Sequence, residues 1–384
     1  MVDIDARRLN DLLRSLVRID SVNPTLDPGH PGEAEIAAFT ASTLEGLGLD
    51  VDRIETVAGR PSVVGVLRGT GGGRSLMLNA HYDTVDIAGM DQPFSGEIRD
   101  GRMFGRGSFD MKGSLAASIV AVEAIIRTGR RPRGDIVIAA VSDEEVASIG
   151  MMDVLARCRT DGAIVTEPTS LKMCLAHKGF VWYDLLTHGR AAHGSRPDLG
   201  IDANAHMGRV LGRMEELGRL LAKRTRHPLV GHGSLHAATL NGGTGLSTYA
   251  AECRLGIERR TIPGETESGA TAELQSILDA LHAEDDAFHA ELRVTLARDP
   301  FEAQSDSALA DALSRAASPV LGEVPRVGDT AWMDAALASA AGIDTIVFGP
   351  HGAGAHAAVE WVDLDSVHQC ALALALTALD YCAA

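Results

Sequence analysis

Paired cysteines are missing from this 384-residue chain: Cys158, Cys174, Cys253, Cys370 and Cys382 lie scattered, with no Cys-x-x-Cys spacing. An odd, dispersed set excludes a disulfide framework and suits a reducing compartment. No apolar run approaches the ~20 residues of a membrane span. The start, with Asp3 and Asp5, lacks the apolar core of a secretory signal. Positive charge is scarce, since 35 Lys and Arg against 52 Asp and Glu leave a net charge of -17. That balance excludes nucleic acid or an anionic membrane as the main partner. No glycine-rich loop ends in Gly-Lys-Ser/Thr and no Gly-x-Ser-x-Gly is present, so neither a Walker phosphate loop nor a serine-hydrolase elbow is expected. The expectation is a cytoplasmic, soluble protein.

What is there fills a sizeable core. The chain is 45% hydrophobic and 23% charged, and its length exceeds one usual core, so two domains are expected. Leu9, Leu12, Leu13 and Leu16 recur at helical spacing. A turn-rich loop follows over 23–32, then a helix over 33–45 with Gly46 as its stop. Segments 61–67, 75–80, 135–141 and 163–166 read as strands, and Leu115, Ile119, Val122 and Ile126 form one helical stripe ending before Gly129. This alternation predicts an α/β core. From Gly179 the order changes to strand 180–187, a helix around Met207–Leu217, strands 235–240 and 252–258, a helix around Leu274–Leu281 and strand 292–296. That is the β-α-β-β-α-β pattern of a small ferredoxin-like unit. The chain returns to the core with strand 345–348 and a closing helix over 363–381. The expected division is 1–178 and 299–384 for the core, with 179–298 inserted.

Candidate ligands sit where these strands end. His81 and Asp83 follow strand 75–80, and a period of two places them on one face, where Asp83 can orient the imidazole. Ser142-Asp143-Glu144-Glu145 follows strand 135–141; one glutamate there can bind metal while its neighbour takes the proton of an attacking water. Glu167 ends strand 163–166 before Pro168. His356 lies in the glycine-rich loop Gly349-Pro350-His351-Gly352-Ala353-Gly354-Ala355-His356, where His351 competes with it. Asp110, between a glycine-rich turn and a helix that it is expected to open, is placed to reach two cations. Two histidines and three carboxylates form a mixed nitrogen and oxygen set suited to zinc, cobalt or manganese.

Asn79-Ala80-His81-Tyr82-Asp83-Thr84, Gly105-Arg106-Gly107-Ser108-Phe109-Asp110-Met111-Lys112-Gly113, Asp143-Glu144-Glu145 and Glu167-Pro168-Thr169-Ser170 together resemble the acetylornithine deacetylase and succinyl-diaminopimelate desuccinylase family of co-catalytic zinc metallopeptidases. The resemblance runs nearly end to end. It implies a zinc-peptidase-like core with a mixed sheet flanked by helices, and an inserted lid and dimerisation domain. It further implies that Asp110 bridges two metal ions. His81 and Glu167 would complete one site, Glu145 and His356 the other, with Asp83 orienting His81 and Glu144 as general base. Ala191-Ala192-His193-Gly194-Ser195-Arg196-Pro197 matches the motif whose histidine stabilises the oxyanion in the partner subunit's site. Arg260-Thr261-Ile262-Pro263-Gly264-Glu265 matches the family's carboxylate clamp, with Asn241 beside it and Gly352 lining the substrate site.

The function this implies is hydrolysis of the amide bond of an N-acyl amino acid by a homodimer. The alternatives are a dipeptidase, carboxypeptidase or desuccinylase of the same family, or a non-catalytic protein that binds an amino acid or peptide through its metals. Val85-Asp86, Leu246-Ser247-Thr248-Tyr249 and Gly328-Asp329-Thr330 depart from the family pattern, and none of them touches a proposed ligand. Ala176-His177-Lys178-Gly179 resembles the deacetylase branch.

Overall fold

A computed structural model of the chain describes residues 2–87 and 89–383. The chain divides into two compact units, Met1–Leu175 with Ala303–Val327 and Met333–Ala384, and Ala176–Glu302 with Gly328–Trp332. The second unit begins a little earlier and ends a little later than segment 179–298, and it also takes in a short return segment. Among the described residues no helix is long and apolar enough to cross a membrane.

The first unit is built on a mixed sheet. Strands Asp50–Ile54, Ser62–Leu67, Ile136–Val141, Leu76–His81, Gly162–Val165 and Asp344–Val347 lie side by side in that order. The first three pair antiparallel, and the last four run parallel. All six residues of Leu76–His81 and of Ile136–Val141 are buried, which explains their unbroken apolar sequence: a sheet covered on both faces has no polar side.

Alternation along the strands then sends side chains to opposite cores. Leu76, Leu78, Ile136 and Ile138 face helices Ala6–Arg18, Gly113–Arg127 and Leu364–Tyr381. Met77, Val137 and Ala139 face helix Ile149–Arg157 and Ala338 of helix Ala335–Ala340. Because four adjacent strands run parallel, their C-terminal ends emerge along one edge. These are the ends followed by His81, the Ser142–Glu145 turn, Glu167 and the His356 loop.

Two local features differ from expectation. Gly46 is the last residue of helix Ala34–Gly46, and the left-handed turn beyond it is taken by Gly48 (φ 79°). Asp110 does not open a helix: it is extended (φ -116°, ψ 97°), and the helix starts at Gly113. A second small sheet, Gly352–Ala353, Trp361–Asp363, Arg102–Phe104 and Glu97–Arg99, was not anticipated. Its hairpin turns at Asp100-Gly101, both with positive φ, the Asp-Gly signature of a two-residue hairpin.

The second unit is a four-stranded antiparallel sheet. Its strands lie in the order Ser234–Gly242, Glu252–Thr261, Gly179–His188, His289–Arg298. In chain order that is second, third, first, fourth, with helices Ala203–Leu221 and Glu267–Glu284 between them. Val181, Tyr183, Leu185, Leu255 and Ile257 bury one sheet face against Met207, Val210, Met214, Leu274 and Leu278.

Gly349, just past the Asp344–Val347 strand, packs its Cα against the carbonyls of Thr166 and Glu167. Gly349→Ala forces these strand ends apart and should destabilise the first unit by about 1–3 kcal/mol, read as a lower denaturant midpoint.

Candidate active site

The sequence-selected ligands of the first unit converge. His81, the last residue of a buried strand, places Nε2 3.1 Å from Asp110 Oδ1, 3.5 Å from Glu167 Oε1 and 3.9 Å from Glu144 Oε2. His356 places Nε2 3.3 Å from the other Asp110 oxygen, Oδ2, and 3.1 Å from Glu145 Oε2. Asp110 therefore faces the two imidazoles with its two oxygens. Donor atoms of His81, Glu144 and Glu167, and of His81, Asp110 and Glu145, lie within 4.8 Å of one another. His351, the competing histidine, is exposed, with Nδ1 3.1 Å from Ser170 Oγ. Gly352 lies against the Phe109 ring, which a side chain at that position would strike.

Asp83 works differently from expectation. His81 Nδ1 is 3.0 Å from the main-chain oxygen of Asp83 and 3.6 Å from its carboxylate. A carbonyl only accepts, so Nδ1 carries the proton and Nε2 is the nitrogen turned to the cluster. The Asp83 carboxylate instead accepts from the backbone N–H groups of Glu144 (3.1 Å) and Glu145 (3.3 Å) and from Asn23 Nδ2 (2.8 Å). It holds the glutamate turn, while its carbonyl orients the histidine.

That turn has a second support which the sequence reading missed. Asn23 Nδ2 also donates to Asp143 Oδ1 at 3.0 Å, and Arg60 donates to the same oxygen at 2.7 Å. Arg60 is in turn gripped by buried Glu33, with Nε–Oε2 at 2.8 Å and Nη2–Oε1 at 2.6 Å. Asn23-Pro24 read only as a loop and Glu33 only as a helix start, and nothing in local spacing joins them to Asp143. Buried Asp334 adds a further negative field on Glu144 and Glu167.

The electrostatics are those of anions crowded out of water. Burial pushes the Glu144 and Glu167 carboxyls well above their ordinary range, and raises Glu145 as well. Burial would strip the proton from His81, but the Glu167 charge and the Asp110 hydrogen bond outweigh it and hold its pKa well above the ordinary value. His356 is lifted to about 10 by its hydrogen bonds to Asp110 and Glu145. Asp110 is lowered in spite of burial, because both histidines bond to it.

Residues 77–380 match the model of peptidase family M20/M25/M40. The chain belongs to that family. An acetylornithine deacetylase of Myxococcus xanthus is 27% identical over 392 aligned positions, covering 97% of either chain. Among solved structures, the aminopeptidase PepT of Bacillus cereus shares the fold at a TM-score of 0.83 and 20% identity, covering 99% of this chain and 100% of its own. The YXEP protein of Bacillus subtilis, described as a dinuclear metal-binding peptidase, aligns at 0.73 and 15% identity over 97% of each chain. This M20 member is thus a metal-dependent hydrolase with an α/β fold.

The remaining sequence-selected residues belong to the second unit. His193 is exposed, its Nδ1 2.8 Å from Ser195 Oγ. Arg260 bonds Glu258 Oε1 at 2.8 Å and lies over the Phe180 ring at 5.4 Å. Asn241 is not its neighbour. In the strand register Asn241 pairs with Arg254, whereas Arg260 pairs with Ser234. Those pairs lie roughly 20 Å apart along the strands.

Asn23→Ala leaves the Asp83 and Asp143 carboxylates without their shared donor, and should cost roughly 10–100-fold in metal affinity or activity, measured by metal titration alongside kcat. Hydrogen bonds to Asp110 and Glu145 keep His356 protonated up to about 10, and the Glu167 charge and the Asp110 hydrogen bond raise the His81 pKa against its burial, so an ion bound to these nitrogens would displace protons. Loading at pH 7.5 should release protons, and affinity should rise with pH. Calorimetry in two buffers of different ionisation enthalpy measures this, and an identical heat in both would contradict it.

Proposed function

We propose that this M20 hydrolase cleaves the amide bond of an N-acyl amino acid, in the manner of an acetylornithine deacetylase, with two divalent cations. The observation that carries the reading is Asp110, whose two oxygens face two separate imidazoles with Glu144 beside them. The donor set fits such ions: each half offers one imidazole nitrogen and carboxylate oxygens, the combination preferred by zinc and acceptable to cobalt or manganese. His81, Glu167 and one Asp110 oxygen would hold one ion, and His356, Glu145 and the other oxygen the second. Bound there, the ions would supply Lewis acidity to the amide carbonyl and to an attacking water.

The protein's own part rests on Glu144. Its buried carboxylate is reluctant to stay charged, which suits a group that must accept a proton and hand it on. We assign it to take the proton of the attacking water and return it to the departing amine nitrogen. Asp83 keeps Glu144 and Glu145 in register through their N–H groups. Arg260 is assigned to the substrate carboxylate, as a planar donor already steadied by Glu258 and Phe180. His193 is assigned to the oxyanion in a homodimer, each subunit supplying it to its partner's site. The exposed loop position of His193 and the match of Ala191–Pro197 to the family motif support that role. The five free cysteines accord with a cytoplasmic enzyme.

Amine release should appear from a panel of N-acyl amino acids that includes N-acetylornithine, and vanish on chelation. Two bound ions with silence across the panel would exclude the N-acyl amino acid reading. Glu144→Gln should lower kcat about 100-fold or more with both ions retained, and normal turnover in that variant would remove the general-base assignment.

A further inference from the structure

Glu360 was not singled out in the sequence, yet its carboxylate is among the most engaged groups of the first unit. Oε2 accepts from Arg106 Nη1 at 2.7 Å and from the Gly107 N–H at 3.1 Å, and Oε1 accepts from the N–H groups of Phe109 at 3.0 Å and Asp110 at 3.1 Å. Both members of the Arg106–Glu360 pair are buried, at 2% exposure each. Arg106 spends its other donors on backbone oxygens: Nε on Asp86 at 2.8 Å and Nη2 on Ala357 at 3.1 Å. One ion pair thus ties together three chain segments, and each adjoins a site residue. Asp86 follows Asp83, Gly107 to Asp110 is the turn that carries the shared carboxylate, and Ala357 follows His356.

The ligands do not depend equally on this clamp. His81 ends a fully buried strand, and Glu167 comes two residues after another, so the sheet fixes them. His356 stands in a loop with φ 61° and a side chain 54% exposed. The sheet has no hold on it, and Ala357, its direct neighbour, is fastened by Arg106.

We propose that Arg106 and Glu360 form a positioning pair that acts chiefly on one ion, the one held by His356, Glu145 and Asp110, and more weakly on the ion held by His81, Glu167 and the other oxygen of the same Asp110. This rests on the two-ion reading above. Neither residue touches substrate or the reacting atoms. They act through the placement of Asp110 and His356, as outer-shell partners of ligands do. Lysine cannot replace the arginine, because a single ammonium cannot reach Glu360 and both backbone oxygens at once, whereas the planar guanidinium does.

The test titrates metal-depleted protein with cobalt(II), followed by calorimetry and visible absorption, in the wild type, Glu360→Gln and Arg106→Lys. The wild type should bind two ions. Both variants should weaken one of the two steps by roughly 10–100-fold and the other by no more than about threefold. Excess cobalt should restore kcat with KM unchanged. Arg106→Lys keeps the charge and most of the volume, so it remains a folded test should Glu360→Gln prove too unstable, a known cost of breaking a buried pair. Two unaltered binding steps in Arg106→Lys overturn the inference alone. Equal loss of both steps with a matching fall in unfolding temperature also overturns it, because that is the mark of a merely structural pair. A wild type that takes fewer than two ions overturns the two-ion reading and this inference with it.

Discussion

Concentrated negative charge out of water is the constraint around which the first unit is arranged. Asp83, Asp110, Glu144, Glu145 and Glu167 crowd around two imidazoles, and burial acts against the ionised form of every one of these carboxylates. A fold tolerates such a cluster only when donors or cations answer it. The structure supplies donors to the members that shape the site. Asp83 has three, and Glu360 beneath Asp110 has four. The groups turned to the centre have chiefly one another and the two imidazoles. That imbalance, with satisfied carboxylates outside and crowded ones inside, is the physical signature of a cation site.

The parallel strands explain why such a site can be held to a fraction of an ångström. Strand ends buried on both faces cannot shift without breaking packing on two sides, so His81, the Ser142–Glu145 turn and the Glu167 segment inherit the rigidity of the sheet. The division of labour at Asp83 follows from the same geometry. Its carbonyl lies where the strand leaves the sheet and meets His81 Nδ1, while its carboxylate reaches across to the neighbouring strand end and collects the Glu144 and Glu145 N–H groups. One residue therefore fixes both the His81 nitrogen that faces the carboxylate cluster and the register of Glu144, the proposed general base.

Much of this was legible in the sequence because it obeys local rules. Unbroken apolar runs marked Leu76–His81 and Ile136–Val141 as buried strands, and charged residues directly after them marked side chains that the structure brings together. Long-range hydrogen bonding was not legible. Arg60 and Asp143 are 83 positions apart and Arg106 and Glu360 are 254 apart, and no periodicity links such pairs. The Asp83 reading went astray because period-two alternation describes side chains, whereas the actual acceptor is a main-chain oxygen. Asn241 was misplaced for a related reason. Proximity to Arg260 depends on strand register, and register is set by pairing across the sheet rather than by distance along the chain.

The second unit shows how Arg260 can serve a ligand although it is already paired. Its helices cover one sheet face, and the other carries alternating charge, with Asp184 between Arg254 at 2.8 Å and Arg293 at 3.4 Å. Such an array is solvated rather than a buried docking core, because exposed pairs contribute little. Arg260 belongs to this array but differs from its other cations. Phe180 supports its guanidinium plane and Glu258 takes one edge. Five donors in a rigid fork leave others free for a carboxylate, and the aromatic beneath removes much of the ordering cost that a free arginine would bear on binding one. A pre-paired arginine is thus better suited to clamp an anionic substrate than an isolated one, provided that the incoming carboxylate approaches from the side away from Glu258.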